Sequence, residues 1–312
     1  MKYRQLGQTG VEVSVVSLGA AKFGKAADEN ACVRIIDRAL DLGINFVDTA
    51  YAYGRSDRII GRALARGDKR DRMLICTKIQ PMANDRDTIL RQAEESLERL
   101  RTDRIDLLLL HRPNPDIPIE ESLGALDELV RAGKVRWIGT SGFKAWQLMQ
   151  ALWTSEKQGL ASFACESSVY SLLCRHPEVD LIPMLRTYGI GLSVWSPLGA
   201  GVLTDRYTRD TPPAHADLTD REWRVIDTLR TIAAGHGCTA SQAAFAWLID
   251  RPGVTTVLAG VRTPEQLVDN AGAADVTLTD EDRQQLDAVA PPGMTYRERW
   301  LGMQFSRPPG LS

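Results

Sequence analysis

The chain has 312 residues, is 44% hydrophobic and 25% charged, and carries a formal net charge of −2. That composition is ordinary for a folded globular protein, its length suits one large α/β domain, and its charge gives no footing to a nucleic-acid or anionic-membrane partner. No run reaches the ~18 apolar residues of a membrane span. The opening MKYRQLGQTG has no apolar export core, and the five cysteines (Cys32, Cys76, Cys165, Cys174, Cys238) form no CxxC pair, so reduced thiols in a cytoplasmic protein are expected.

The periodicity predicts a hairpin first, with Tyr3 to Leu6 and Val11 to Val15 flanking the turn residues Gln8, Thr9 and Gly10. Val16 to Gly19 reads as a strand, and strands and helices alternate from there. Asp28 to Leu42 is predicted helix, Asn45 to Thr49 strand, Asp57 to Leu64 a short helix and Met73 to Lys78 strand. Thr88 to Leu100 sets Ile89, Leu90, Ala93, Leu97 and Leu100 at helical spacing. Ile105 to Leu110 is almost wholly apolar, as a strand buried on both faces should be.

Helix is expected again over Ile119 to Arg131, with Gly133 as its C-cap, over Ala145 to Lys157, and over Val179 to Tyr188 up to Gly189. The strands between and after them are Val135 to Thr140, Phe163 to Val169 and Leu192 to Ser196. A polar loop from about Gly199 to Thr219 precedes helices over Arg221 to Ala234 and Ser241 to Asp250. Thr256 to Ala259 is the last strand; helices over Pro264 to Ala271 and Asp280 to Val289 and a Pro/Gly-rich tail follow.

Leaving the hairpin aside, this gives eight strands, each followed by helix, and predicts a single-domain α/β fold over residues 1–312, a (β/α)8 TIM barrel with an N-terminal β-hairpin and additional C-terminal helices. The rival is a doubly wound open sheet. A dinucleotide-binding sheet of that kind carries GxGxxG after its first strand, and Gly19-Ala20-Ala21-Lys22-Phe23-Gly24 lacks that spacing.

Asp48, Tyr53, Lys78 and His111 fall at or just beyond the C-terminal ends of predicted strands, the rim on which barrels carry their chemistry. A phenol can protonate a carbonyl oxygen while a hydride reaches the carbon, although its ordinary pKa is ~10. An ammonium beside it stabilises the phenolate, a carboxylate holds the ammonium, and an imidazole orients the oxygen. Singly, each residue has a plain reading: a turn cap, a surface aromatic, a lysine reaching for solvent, a loop histidine. Together they point to carbonyl reduction. The four histidines (His111, His176, His215, His236) have no metal-ligand spacing, so neither a metal nor a metallohydrolase is expected.

At the last strand, Gly260 permits close backbone approach, Thr263 suits an N-cap and Pro264 the first helical position. The free amides of that helix and the Arg262 guanidinium suit a phosphate; the plain alternative is an ordinary turn with a solvated arginine.

These segments resemble the aldo-keto reductase family. The resemblance rests on Asp48-Thr49-Ala50-Tyr51-Ala52-Tyr53-Gly54, Thr77-Lys78 and Leu110-His111. It is carried further by Leu6 to Gly10, Gly139 to Phe143, Tyr170 to Leu173, Trp195 to Gly199 and Gly260 to Gln266, and so covers nearly the whole chain. It implies an NADP(H)-dependent oxidoreductase, with NADH possible, that reduces an aldehyde, ketone or sugar carbonyl or runs the reverse. Tyr53 would be the acid, Lys78 and Asp48 would tune it, and His111 would position the carbonyl. The alternative is a nicotinamide-binding regulatory or channel-associated subunit with weak reductase activity.

The same resemblance implies that Ser141 bonds the nicotinamide carboxamide, with Ser167 or a water serving where relatives have Gln, and that Tyr170 stacks on the ring, its plain reading being a core aromatic. Trp195 and Ser196 would touch the cofactor, and the loop from Pro197 through Leu203, with Leu198, Gly199 and Gly201, would pass near the pyrophosphate. Arg262 would face the adenosine 2′-phosphate, and Gln266 and Asn270 the adenine. Phe23, Tyr51, Arg112 and Trp300 would shape the substrate pocket, with Lys22 at its edge. Three positions depart from many relatives: Gly142 where they have Asn, Ser167 where they have Gln, and Asp205 where they have Gly. Glu166 is read as structural, and Asp205 is expected to point to solvent. The partner expected is a small-molecule carbonyl compound; neither the substrate nor the oligomeric state is legible.

Overall fold

The computed structural model of the chain describes residues 1–291; Trp300 and the rest of the expected tail lie outside the described residues. A two-stranded antiparallel hairpin, β1 (Tyr3–Gln5) and β2 (Glu12–Ser14), opens the chain. Eight parallel strands then close into a barrel: β3 (Val16–Gly19), β4 (Phe46–Asp48), β5 (Leu74–Lys78), β6 (Ile105–Leu110), β7 (Val135–Ser141), β8 (Phe163–Val169), β9 (Gly191–Trp195) and β10 (Val254–Gly260). They pair in chain order, and β10 pairs with β3, Val257 opposite Val16 and Gly260 opposite Gly19.

The crossovers carry α1 (Glu29–Asp41), α2 (Ser56–Leu64), the short α3 (Lys69–Arg72), α4 (Arg86–Leu100), α5 (Ile119–Arg131), α6 (Ala145–Gln158) and α7 (Leu181–Tyr188). After β9 come α8 (Asp220–Gly235) and α9 (Ala240–Ile249), and after β10 come α10 (Pro264–Gly272) and α11 (Asp280–Val289). Their starts are written locally. Asp28, Asp85, Thr219, Thr239, Thr263 and Thr279 each accept a hydrogen bond from a backbone N–H of the first turn, a contact worth about 1 kcal/mol each.

The two-residue period of the strands divides the core in two. One side chain set (Leu18, Val47, Ile75, Leu108, Ile138, Leu192, Val257) packs outward among the helices. The other (Phe46, Cys76, Leu107, Leu109, Cys165, Leu258) fills the barrel together with Leu6 and Val13, so the hairpin supplies part of the inner core. None of the five cysteines is in a disulfide.

Element boundaries differ from the sequence expectation where turns intervene. The strand expected to run to Ser196 ends at Trp195, because Ser196 turns into the left-handed region at φ 57°. The helix expected from Val179 starts at Leu181, after a 3-10 turn at His176–Glu178 led by Pro177. Helix α3 was not expected: its sequence, KRDR, has no apolar period to read.

Candidate active site

Asp48 and Lys78 are the last residues of β4 and β5, and His111 follows β6 directly. Parallel register sets Asp48 beside Gly19 and Cys76, and Lys78 beside Leu109, so the strand ends share one rim. Tyr53 closes a 3-10 turn, Tyr51–Tyr53, and Gly54 at φ 72° leads the chain away into α2. The structure therefore brings together all four residues singled out from the sequence.

Lys78 Nζ donates to both Asp48 oxygens at 2.6 Å and to the Thr49 carbonyl at 2.9 Å. Both side chains of the pair are about 95% buried or more. The ammonium lies 5.3 Å from the centre of the Tyr53 ring, and the Tyr53 and His111 rings meet edge to face at 5.8 Å.

Burial, the largest influence, pulls the Lys78 pKa down, yet the Asp48 carboxylate holds it above the ordinary value. The largest single influence on Tyr53 is the Lys78 ammonium, which lowers its pKa as expected. Burial and the Asp48 charge outweigh it, so the net direction is upward and the phenol keeps its proton at neutral pH. Burial, then Lys78 and Arg112, depress His111 to about 3, so the imidazole is neutral, and its buried Nδ1 has no hydrogen-bond partner.

A second group lies on the next strands. Ser141 ends β7 and pairs with Ser167 on β8, which pairs in turn with Ser193 on β9. Ser167 Oγ and Ser193 Oγ are buried with no hydrogen-bond partner. Trp195 Nε1 donates to the Ser167 carbonyl at 3.3 Å. Arg112 donates to Ser141 Oγ at 3.2 Å and stands over the Trp195 ring at 5.4 Å. Arg112, read from the sequence as a pocket residue, thus packs against Ser141 and Trp195.

Sequence reasoning set Glu166 aside as structural, and the structure gives it a larger presence. It is fully buried and accepts hydrogen bonds from Thr140 Oγ1, Gly142 N and Phe143 N. Burial pushes its carboxyl up to about 8 against those hydrogen bonds and the Arg112 charge. The available signal was a carboxylate inside the otherwise uncharged strand Phe163–Val169.

Beyond β9, Ser196, Gly199, Ala200 and Gly201 all have positive φ, and Pro197 and Leu203 are buried while Leu198 is half-buried. Gly260, the last residue of β10, is exposed, as are Arg262 and Gln266 about the start of α10, where Thr263 caps the helix and Gln266 Oε1 accepts from Arg262 N at 2.8 Å; Asn270 is buried one turn on. Asp205 is exposed, as expected, and is also tied down: it accepts from Ala240 N at 3.1 Å, at the start of α9.

Three further residues expected near a ligand are engaged with the protein itself. Tyr170 is fully buried, its hydroxyl donates to Glu178 at 2.6 Å, and its ring packs beside Trp247. Phe23 is fully buried in the outer core. Tyr51 turns to α4, donating to Glu95 at 2.6 Å under the Arg99 guanidinium. Among the described residues no helix is long and apolar enough to cross a membrane, and no group of three or more His, Cys, Asp or Glu is placed to hold a metal ion.

Residues 15–291 match the model of the aldo/keto reductase family. The chain is 34% identical to an uncharacterized oxidoreductase, YrpG, of Bacillus subtilis, over 93% of this chain and 96% of that protein. It is also 34% identical to a probable voltage-gated potassium channel subunit beta of Arabidopsis thaliana, over 88% and 92% of the two chains. A probable subunit of the same name from Oryza sativa is 32% identical over 93% and 96%.

Proposed function

The chain belongs to the aldo/keto reductase family, and on that premise we propose that it is an NADPH-dependent oxidoreductase reducing an aldehyde, ketone or sugar carbonyl, or running the reverse. The observation that carries this reading is the buried Asp48–Lys78 pair set against Tyr53, with a neutral His111 at the phenol's edge.

The residues on the rim fit a nicotinamide dinucleotide. Ser141 and the unpartnered Ser167 hydroxyl would hold the carboxamide. Trp195 would border that end, with Tyr170 behind it as the stacking residue the resemblance implies; the turn from Ser196 to Leu203 would follow the pyrophosphate. Arg262 and the first amides of α10 would take the phosphate of the adenosine ribose, and Gln266 and Asn270 the adenine. When bound, the cofactor supplies the hydride.

The chain's own residues supply the rest. Tyr53 donates its proton to the carbonyl oxygen as charge develops there. Lys78, anchored by Asp48 and the Thr49 carbonyl, stabilises the phenolate that remains. His111, being neutral, can donate a hydrogen bond to the same oxygen without adding a charge. In the oxidative direction the phenolate takes the proton back.

The test is a tryptophan-fluorescence titration with NADPH and NADH side by side, followed by turnover on aldehydes, ketones and sugars. Saturable quenching, tighter with NADPH, and turnover of at least one carbonyl class support the reading; no binding of either cofactor overturns it. The two plant relatives named as potassium channel beta subunits favour a second reading, a nicotinamide-binding subunit of a larger assembly. Tight cofactor binding with no turnover across the screen would support that reading instead.

A further inference from the structure

Directly behind the Asp48–Lys78 pair, four oxygens stand in line. Asp57 Oδ1 is 2.8 Å from Thr49 Oγ1, which is 2.9 Å from Ser56 Oγ, which is 3.0 Å from the Ala20 carbonyl oxygen. Each is an oxygen–oxygen contact of hydrogen-bond length and needs a proton in it. Thr49 and Ser56 carry one hydroxyl proton each, and the carbonyl carries none. Three contacts share two hydroxyl protons.

The closed end fixes the direction. Only Ser56 can donate to the Ala20 carbonyl. Ser56 Oγ must then accept from Thr49, which commits the Thr49 proton. Thr49 Oγ1 is left to accept, and the donor facing it is Asp57. Ala20, Thr49, Ser56 and Asp57 are each at most 1% exposed, so bulk water does not reach the line.

A second observation agrees. Asp57 Oδ2 is buried and makes no hydrogen bond. An ionised carboxyl would leave part of its charge bare there, whereas an acid leaves only a carbonyl oxygen. The groups facing Asp57 are the Thr49 hydroxyl, Lys78 from β5, and Arg99 and the Ser96 hydroxyl from α4. These favour the charged form, and burial, the largest influence, overrides them and drives its pKa up.

We propose that Asp57 is held as the neutral acid and heads a one-way chain of hydrogen bonds, Asp57 to Thr49 to Ser56 to Ala20, that positions the Thr49 carbonyl under Lys78. The chain ties together the turn after β3, the end of β4 and the first turn of α2. Asp48 then remains the carboxylate that balances Lys78, with no second negative charge behind the ammonium to draw its field from Tyr53. Asp57 is a positioning residue, and its role rests on the carbonyl reduction proposed above.

The experiment is infrared difference spectroscopy of the full-length protein against Asp57→Asn at neutral pH. The carbonyl stretch of a protonated carboxyl should be present in the wild type and lost in the variant. Its absence from the wild type overturns the proposal, whether or not the protein turns over a carbonyl. Kinetics give the positioning test. Asp57→Ala, which removes the donor to Thr49, should lower kcat about 10-fold or more while cofactor affinity changes little. Asp57→Asn, whose amide N–H replaces the acid O–H, should recover most of that loss, and an Asn variant as impaired as the Ala variant overturns the role. If the Ala variant does not fold, the spectrum and the Asn variant still decide. A protonated carboxyl in a protein that reduces nothing would leave the state of Asp57 standing and remove the reductase reading alone.

Discussion

Arg112 stands where a side chain at position 142 would be. A Cβ built on Gly142 would lie 2.7 Å from Arg112 Nη1 and 3.4 Å from its Cζ. Gly142 also has φ 70°, but asparagine adopts that region readily, so the backbone alone does not explain the glycine. The guanidinium, which donates to Ser141 and lies over the Trp195 ring, does.

Gly142→Asn is therefore expected to displace Arg112 and lower stability by about 1–3 kcal/mol, the usual size of an overpacking change. Adding Arg112→Ala should return most of that loss. Thermal unfolding of the two single variants and the double variant measures the coupling. Additive effects would mean that the two positions do not compete for one space.

Tyr53→Phe should leave NADPH affinity nearly intact and reduce turnover by about 10²–10⁴-fold, the range of a lost general acid. Fluorescence titration and steady-state kinetics on the same preparation separate the two effects. Equal turnover in variant and wild type would remove Tyr53 from the acid role.

Arg262→Ala should weaken NADPH more than NADH, because only NADPH carries the 2′-phosphate. Paired titrations with the two cofactors check this. An equal loss for both would place the guanidinium elsewhere.

Glu166 and His111 should give stability opposite slopes with pH. The folded pKa of Glu166, about 8, lies above its ordinary 4.5, so the native state holds a proton that the unfolded chain releases. Its contribution is full below about pH 4.5 and is lost as pH rises through about 8. His111, depressed from 6.5 to about 3, contributes fully above about pH 6.5, and its share is lost as pH falls towards 3. Urea unfolding from about pH 5 to about pH 9 should show a decline that Glu166→Gln flattens. An unchanged slope in that variant would mean that Glu166 is ionised in the folded protein.

The barrel and its four rim residues were legible because polar groups end runs that are otherwise apolar. Asp48 follows Phe46-Val47, Lys78 ends Leu74 to Thr77, and His111 follows six strand residues of which only Asp106 is polar. What escaped depends on distance in space. Gly142 and Arg112 are 30 residues apart, and no local pattern joins them. Ala20, Thr49, Ser56 and Asp57 belong to a turn, a strand end and a helix that the pairing of β3 with β4 and the turn into α2 bring together. The net direction for Tyr53 is a balance of burial against Lys78, and a sequence lists the charges without their depth.

The seam of the barrel joins β3 to β10, and the hairpin ahead of β3 sends Leu6 and Val13 into the interior. During synthesis the ribosome delivers those residues more than 200 residues before Val254–Gly260. Until then Phe46, Cys76, Leu107, Leu109 and Cys165 line an open trough rather than a sealed interior. A growing chain of this kind carries its unsealed lining through most of translation, which makes the nascent protein a client for whatever shields apolar surface at the exit tunnel.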